Sequence, residues 1–174
     1  MSADPEQAEV MAGQDFVAPA DRFVVFRTGS QTLLSSLDSI DEITDMMSVS
    51  PVPGTQDWFL GLGTRKGNLL PISDFTAYLG VDEADGDIAR RLLVVGQSGE
   101  YFGLSVDEVV GLVTKEDISP ESTGAQDVRT EGSGLARLRP LLSGCGELRG
   151  EVTPMVDLTR LLEQQAFVSI EASA

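Results

Sequence analysis

"GNLLPISDFTAYLG", residues 67 to 80, is echoed by "GEVTPMVDLTRLLE", residues 150 to 163. Both read Gly, three residues, Pro, two residues, Asp, an apolar residue, Thr, two more and Leu, 83 positions apart (150 minus 67). In each copy an apolar strand runs into an aspartate that begins a helical stretch, because an Asp side chain accepts hydrogen bonds from the free N–H groups of a first turn. Gly80 then suits the left-handed position that closes a helix. A chain that repeats such a unit repeats a fold.

Working outward, the unit is one part of a longer plan. "RFVVFRTGSQTLLSSL" (22–37) places apolar runs on either side of Gly29-Ser30, and "RRLLVVGQSGEYFGLSV" (90–106) does so around Ser98-Gly99. Both read as β-hairpins. With an offset of 69, Arg22 meets Arg91, Phe23 to Phe26 meet Leu92 to Val95, Asp38 meets Asp107 and Ile40 meets Val109. "DSIDEITDMM" fits a short helical turn or a strand, and "SPVPGTQDW" is a loop leading to Trp58. "WFLGLG" and "GNLLPI" are short strands around "GTRKG", and Ser119 to Gly134 reads as a long loop. Many short strands with turn signals favour a mainly β fold of small closed sheets, since closure removes exposed edges. The expectation is two small barrels, residues 1–21 forming an acidic tail, 22–166 the folded part with a C-terminal helix from near Asp157, and 167–174 a second tail.

Composition limits the function. An apolar fraction of 41% supports a packed core. A formal charge of −16 disfavours nucleic acid and anionic membranes, both of which need Lys and Arg. No apolar run approaches the ~20 residues that cross a bilayer, and the start lacks a secretory pattern, so direct membrane insertion is not expected and the chain reads as cytoplasmic. With no histidine and one cysteine, Cys145, the Ser-His and Cys-His nucleophile systems and cysteine metal clusters are absent. "VDEADGD" lacks the ligand spacing of a calcium loop, and "GLGTRKG" lacks the ending of a phosphate loop, so neither metal nor cofactor is expected. Asp74 and Asp157 raise the alternative of a carboxylate-dependent hydrolase built from two related halves. Each, however, is followed by Phe75 or Leu158 where an aspartic protease has a small residue, and each stands where a helix needs a cap. A third reading, an SH3-like module for proline-rich peptides, needs an aromatic groove that 6% aromatic residues hardly supply.

Taken in order, "FVVF", "SIDEI", "PVPG", "WFLGLGTRKGNLLPISDF", "RRLLVV", "FGLSVDEVVGL" and "LLSGCGELRGEVTPMVDLTRLL" resemble the CheW family of chemotaxis coupling proteins over about Phe23 to Leu162. Within it, "PVPGTQDWFLGLGTRKGNLLPISDF" and "GLSVDEVVG" look most like the adaptor branch of type IV pilus twitching. The resemblance implies two intertwined SH3-like five-stranded β-barrels and a scaffold without enzyme activity. Its implied partners are a chemoreceptor cytoplasmic tip and the regulatory domain of a CheA-like histidine kinase, at membrane-associated receptor arrays. It places Ile40, Glu42, Gly61, Lys66, Gly103 and Val109 on the receptor side. Ile40 and Val109 also suit the core. The family's usual Arg before the turn glycine is Lys66 here, with Thr64 in place of Asn, and Leu34 stands where a Gly is common. Glu42 and Lys66 are expected to approach one another across the first barrel.

Overall fold

The computed structural model describes residues 21–83, 86, 89–120 and 135–172. Among these residues there are eleven strands: β1 Arg22–Thr28, β2 Gln31–Ser36, β3 Ile40–Asp45, β4 Phe59–Arg65, β5 Asn68–Asp74, β6 Arg91–Gln97, β7 Glu100–Val106, β8 Glu108–Thr114, β9 Ser119–Pro120, β10 Leu142–Leu148 and β11 Glu151–Val156. The α-helices are short: α1 Phe75–Leu79, α2 Leu135–Leu138 and α3 Gln165–Val168. One sheet has the order β8-β1-β2-β11-β10-β9, the other β3-β6-β7-β5-β4.

The duplication is therefore real, and the hairpins are exchanged. The β1–β2 hairpin lies in the sheet built from the C-terminal strands, whereas β6–β7 lies with β3, β4 and β5. Each sheet holds one parallel pair at equivalent positions, Met155 beside Leu34 and Ile72 beside Gly103. The copies also extend further upstream than Gly67 and Gly150. "FLGLGTRKG" (59–67) matches "LSGCGELRG" (142–150), and Lys66 and Arg149 take φ of 49° and 53° in matching tight turns.

The expected closure is incomplete. In the first sheet, β8 runs through a 3₁₀ turn at Lys115–Asp117 into β9, which meets β10 at two residue pairs. In the second, the chain leaving β3 reaches β4 through the Ser50–Leu62 bridge, with N–H···O distances of 2.9 and 3.0 Å. The seam fails to zip fully because each closing segment bends and ends in a Ser-Pro pair, and proline has no N–H for a ladder. Both segments read as loops in the sequence.

The main core lies between the sheets. Val24, Phe26 and Leu33 from one meet Leu93, Val95, Phe102 and Leu104 from the other, with Phe75, Tyr78, Leu158 and Leu161 closing the ends. A separate cluster of Leu70, Ile72, Leu92 and Val94 fills the inside of the second sheet, covered by Met46, Met47, Val49 and Leu60. Both caps form as expected. Asp74 accepts from the Ala77 N–H at 3.1 Å, Asp157 accepts from the Thr159 N–H at 3.1 Å, and Gly80 is left-handed with φ 70°. The second cap opens a 3₁₀ segment, Leu158–Glu163, rather than one continuous helix; extended backbone at Gln164 separates it from α3. Trp58 is a packed anchor, its ring stacked on Phe167 at 5.5 Å. Phe167 is buried, so the expected second tail begins inside the core.

Candidate functional site

The geometry singles out one rim of the second sheet. Arg65, the last residue of β4, reaches across to β3, where its Nε donates to Glu42 Oε2 at 2.8 Å and its NH2 donates to Asp41 Oδ2. The guanidinium also lies over the Tyr101 ring, 5.4 Å from its centroid. Three neighbours on two other strands thus fix one side chain. The Glu42 hydrogen bond, and after it Asp41, hold Arg65 above its usual pKa despite its partial desolvation. Beside it, a concavity of about 460 Å³ is lined by Asp41, Arg65, Lys66, Leu69 and Tyr101 among others. Leu69 is 70% exposed there, an apolar side chain presented to solvent next to a fixed charge.

Lys66 does not take the role expected of it. It occupies the tight turn after β4 with a left-handed backbone, and among the described residues it has no ion pair. A strand places neighbouring side chains on opposite faces, so a shift of one residue decides which side chain meets Glu42. Arg65 is that residue, and it keeps the planar two-pronged contact that Lys66 lacks. The visible signal was the period-two alternation of "GLGTR", which sets Gly61, Gly63 and Arg65 on one face.

The other expected site residues are placed as follows. Glu42 is half-buried at the rim. Ile40 is 8% exposed and belongs to the main core, while Val109 is half-buried against the same core. Gly61 has φ 134° and lies so close to Ser50 that a Cβ would fall 2.1 Å from its carbonyl oxygen. Gly103 faces Ile72 and Leu92, each 3.0 Å from an added Cβ. These two glycines accommodate the chain's own seam and interior. Glu42 and Lys66 border the rim; Gly103, Ile40 and Val109 do not reach its surface.

The hydrolase alternative finds no shared site. Asp74 spends its oxygens on Ala77 N–H and Arg90, and Asp157 on Thr159 and Arg160, each at the end of its own sheet. Among the described residues no cluster of three or more potential metal ligands occurs, and no helix is long and apolar enough to cross a membrane.

Exposed apolar side chains also stand at the corresponding positions of the first sheet. Val152, the equivalent of Leu69, is 45% exposed, and Val110 and Leu112 of β8 are 46% and 60% exposed. The equivalents of Glu42 and Arg65 are Gly111 and Leu148, so this rim lacks the fixed ion pair of the other, although Lys66 has a basic twin in Arg149.

Comparison with known proteins agrees with this architecture. The family described as "CheW-like domain" matches residues 22–166. The chain is 32% identical over 87 residues to Protein PilI of Pseudomonas aeruginosa, a match spanning 50% of this chain and 49% of that protein. It is 30% identical over 106 residues to Chemotaxis protein CheW of Rhizobium meliloti, covering 60% of this chain and 68% of that protein. The crystal structure of the scaffolding protein TtCheW from Thermoanaerobacter tengcongensis shares the fold. It superposes with a TM-score of 0.67 at 19% identity, over 84% of this chain and 95% of that one.

Proposed function

The chain belongs to the CheW-like domain family, and on that premise we propose that it is a non-enzymatic adaptor in a chemotaxis-like signalling pathway. It couples the cytoplasmic tip of a methyl-accepting chemoreceptor to the regulatory domain of a CheA-like histidine kinase, in the cytoplasm at receptor arrays. The likeness to PilI favours type IV pilus twitching as the output. One observation carries the reading: the duplicated fold offers two equivalent rims of different chemistry, one with Arg65, Asp41 and Leu69, the other with Val110, Leu112 and Val152. An adaptor needs two surfaces that discriminate between two partners, and the fixed ion-pair cluster at one rim supplies that discrimination.

The receptor side is assigned to the charged rim. Glu42 and Arg65 form its fixed pair and Lys66 an additional cation, with Gly61 and Gly103 shaping the backbone behind it; Ile40, in the core between the sheets, and Val109, on β8 of the other sheet, would act on it only indirectly. The test is co-purification and calorimetry with a chemoreceptor tip and a kinase regulatory domain from the same genome. Leu69→Asp and Leu112→Asp are suitable variants because both side chains are exposed. Each is expected to weaken one partner and spare the other. A folded protein that binds neither partner overturns the adaptor reading.

A further inference from the structure

The C-terminal segment follows β11 of the first sheet, yet what holds it belongs to the second. Phe167 of α3 is buried against three rings: Trp58 just before β4, with centroids 5.5 Å apart, Tyr78 of α1 at 5.1 Å and Phe102 of β7 at 5.4 Å. Beyond α3 the chain lies along the loop of residues 51–57. There the Gln56 N–H donates to the Ile170 carbonyl at 2.7 Å, and the Ala172 N–H donates to the Gly54 carbonyl at 2.9 Å. Gln56 Nε2 adds a bond to the Glu171 carbonyl at 3.0 Å, and Thr55 bridges Glu171. A helix of four residues does not hold itself in water, so these contacts are what keep the segment in place. The extended backbone at Gln164 separates it from Leu158 and Leu161 in the core, so it can lift without disturbing them.

The loop beneath it leads out of the seam of the second sheet. Ser50, immediately before the loop, exchanges the two seam hydrogen bonds with Leu62 of β4. Met46, Met47 and Val49, which cover the interior cluster, stand on the same stretch. Pro51 and Pro53 take two N–H donors out of the loop, so the bonds to the C-terminal segment weigh more in fixing it. Leu62 in turn shares β4 with Arg65. One run of contacts therefore joins Phe167 to the seam and to the charged rim.

We propose that residues 165–172 are a strap that sets how firmly the second sheet is closed. Seated, the strap holds the 51–57 loop and through it the Ser50–Leu62 seam. Lifted, it lets the seam open while the rest of that sheet stays paired. The seam is the part that gives way because it rests on two hydrogen bonds, whereas β6 and β7 pair along their whole length, and local opening takes the least secured element. The inference goes beyond the adaptor reading and stands on the fold alone.

The test is amide hydrogen exchange on the full chain, read at Ser50 and Leu62. The pair Ser119 and Glu147, at the seam of the other sheet, is the internal control. Phe167→Leu keeps an apolar side chain and gives up the three ring contacts. It is expected to speed exchange at Ser50 and Leu62 about tenfold. Ala172→Pro removes one hydrogen bond and no buried side chain, and is expected to speed the same amides about fivefold. It decides the matter should Phe167→Leu fail to fold. Val168→Ser, at an exposed position of α3, is expected to change neither seam. Faster exchange at Gln56 with Ser50 and Leu62 unmoved would overturn the strap. So would equal acceleration of both seams, or the same acceleration by Val168→Ser. None of these results alters whether receptor and kinase co-purify, so the adaptor reading stands or falls separately.

Discussion

Leu70, Ile72, Leu92 and Val94 fill the inside of the second sheet; at the same positions the first sheet carries Thr153, Met155, Phe23 and Val25. Met46, Met47 and Val49, which cover the former, correspond to Lys115, Glu116 and Ile118. The consequence is visible as space. A cavity of about 800 Å³, lined by Phe23, Ile118, Cys145 and Met155 among others, opens where the twin is packed. One backbone plan thus tolerates two fillings. The packed copy also carries the fixed Arg65 cluster at its rim, and a dense interior beneath a positioned charge limits how far that charge can move.

The most severe way to break this comparison is to empty both interiors. Ile72→Ala is expected to cost about 3 kcal/mol, because a fully buried side chain leaves a hole that its neighbours cannot close. Met155→Ala, beside an existing cavity, is expected to cost about 1 kcal/mol. Urea denaturation of both variants checks this, and equal losses would mean that the two sheets are packed alike.

The polar twins give a contrast nearly as large. Asp107→Ala leaves the Gly29 N–H and Thr76 without their acceptor, at an expected cost of about 2–3 kcal/mol. Asp38→Ala is expected to stay within about 0.5 kcal/mol. The caps sharpen the same point: Asp74→Ala is expected to cost about 2 kcal/mol and Asp157→Ala about 1, since the first also removes the nearest carboxylate of Arg90 from a buried position. The smallest effect is alkaline. Burial raises the pKa of Tyr78, whose twin is Leu161. The unfolded phenol ionises near pH 10 while the folded one keeps its proton, so this contribution is complete below about pH 10 and is lost as pH rises toward the folded value. Tyr78→Phe is expected to flatten that fall in a denaturation series measured from pH 8 upward.

Much of this molecule was legible in its residues. The hairpin turns at Gly29-Ser30 and Ser98-Gly99, the capping by Asp74 and Asp157 and the left-handed Gly80 follow from local chemistry, which acts over a few residues. That the two barrels intertwine came from the family resemblance and not from the residues, because nothing in β1 or β2 specifies β11 as a neighbour; pairing is settled by which faces bury together. The Ser50-Pro51 and Ser119-Pro120 seams looked like loops, since proline hides a strand end from propensity reasoning. At the rim the sequence named Glu42 correctly as a paired charge and misassigned its partner, Lys66 for Arg65. The turn motif drew attention to the residue beside the glycine, and strand alternation decided against it.

The exchanged hairpins have a consequence for how this protein is made. Leu34 lies beside Met155, 121 positions later (155 minus 34), while the strands of the second sheet are all synthesised by Val106. A chain emerging from the ribosome N-terminus first can therefore complete that sheet while the β1–β2 hairpin still waits for its partners. Once β8 has paired with β1, the β2 side of the hairpin remains an unfinished edge bearing Leu34, and a chain cut short before β11 keeps it so. A chain interrupted between β8 and β11 would thus have one sheet formed and one sticky strand edge, a substrate for chaperones and proteases.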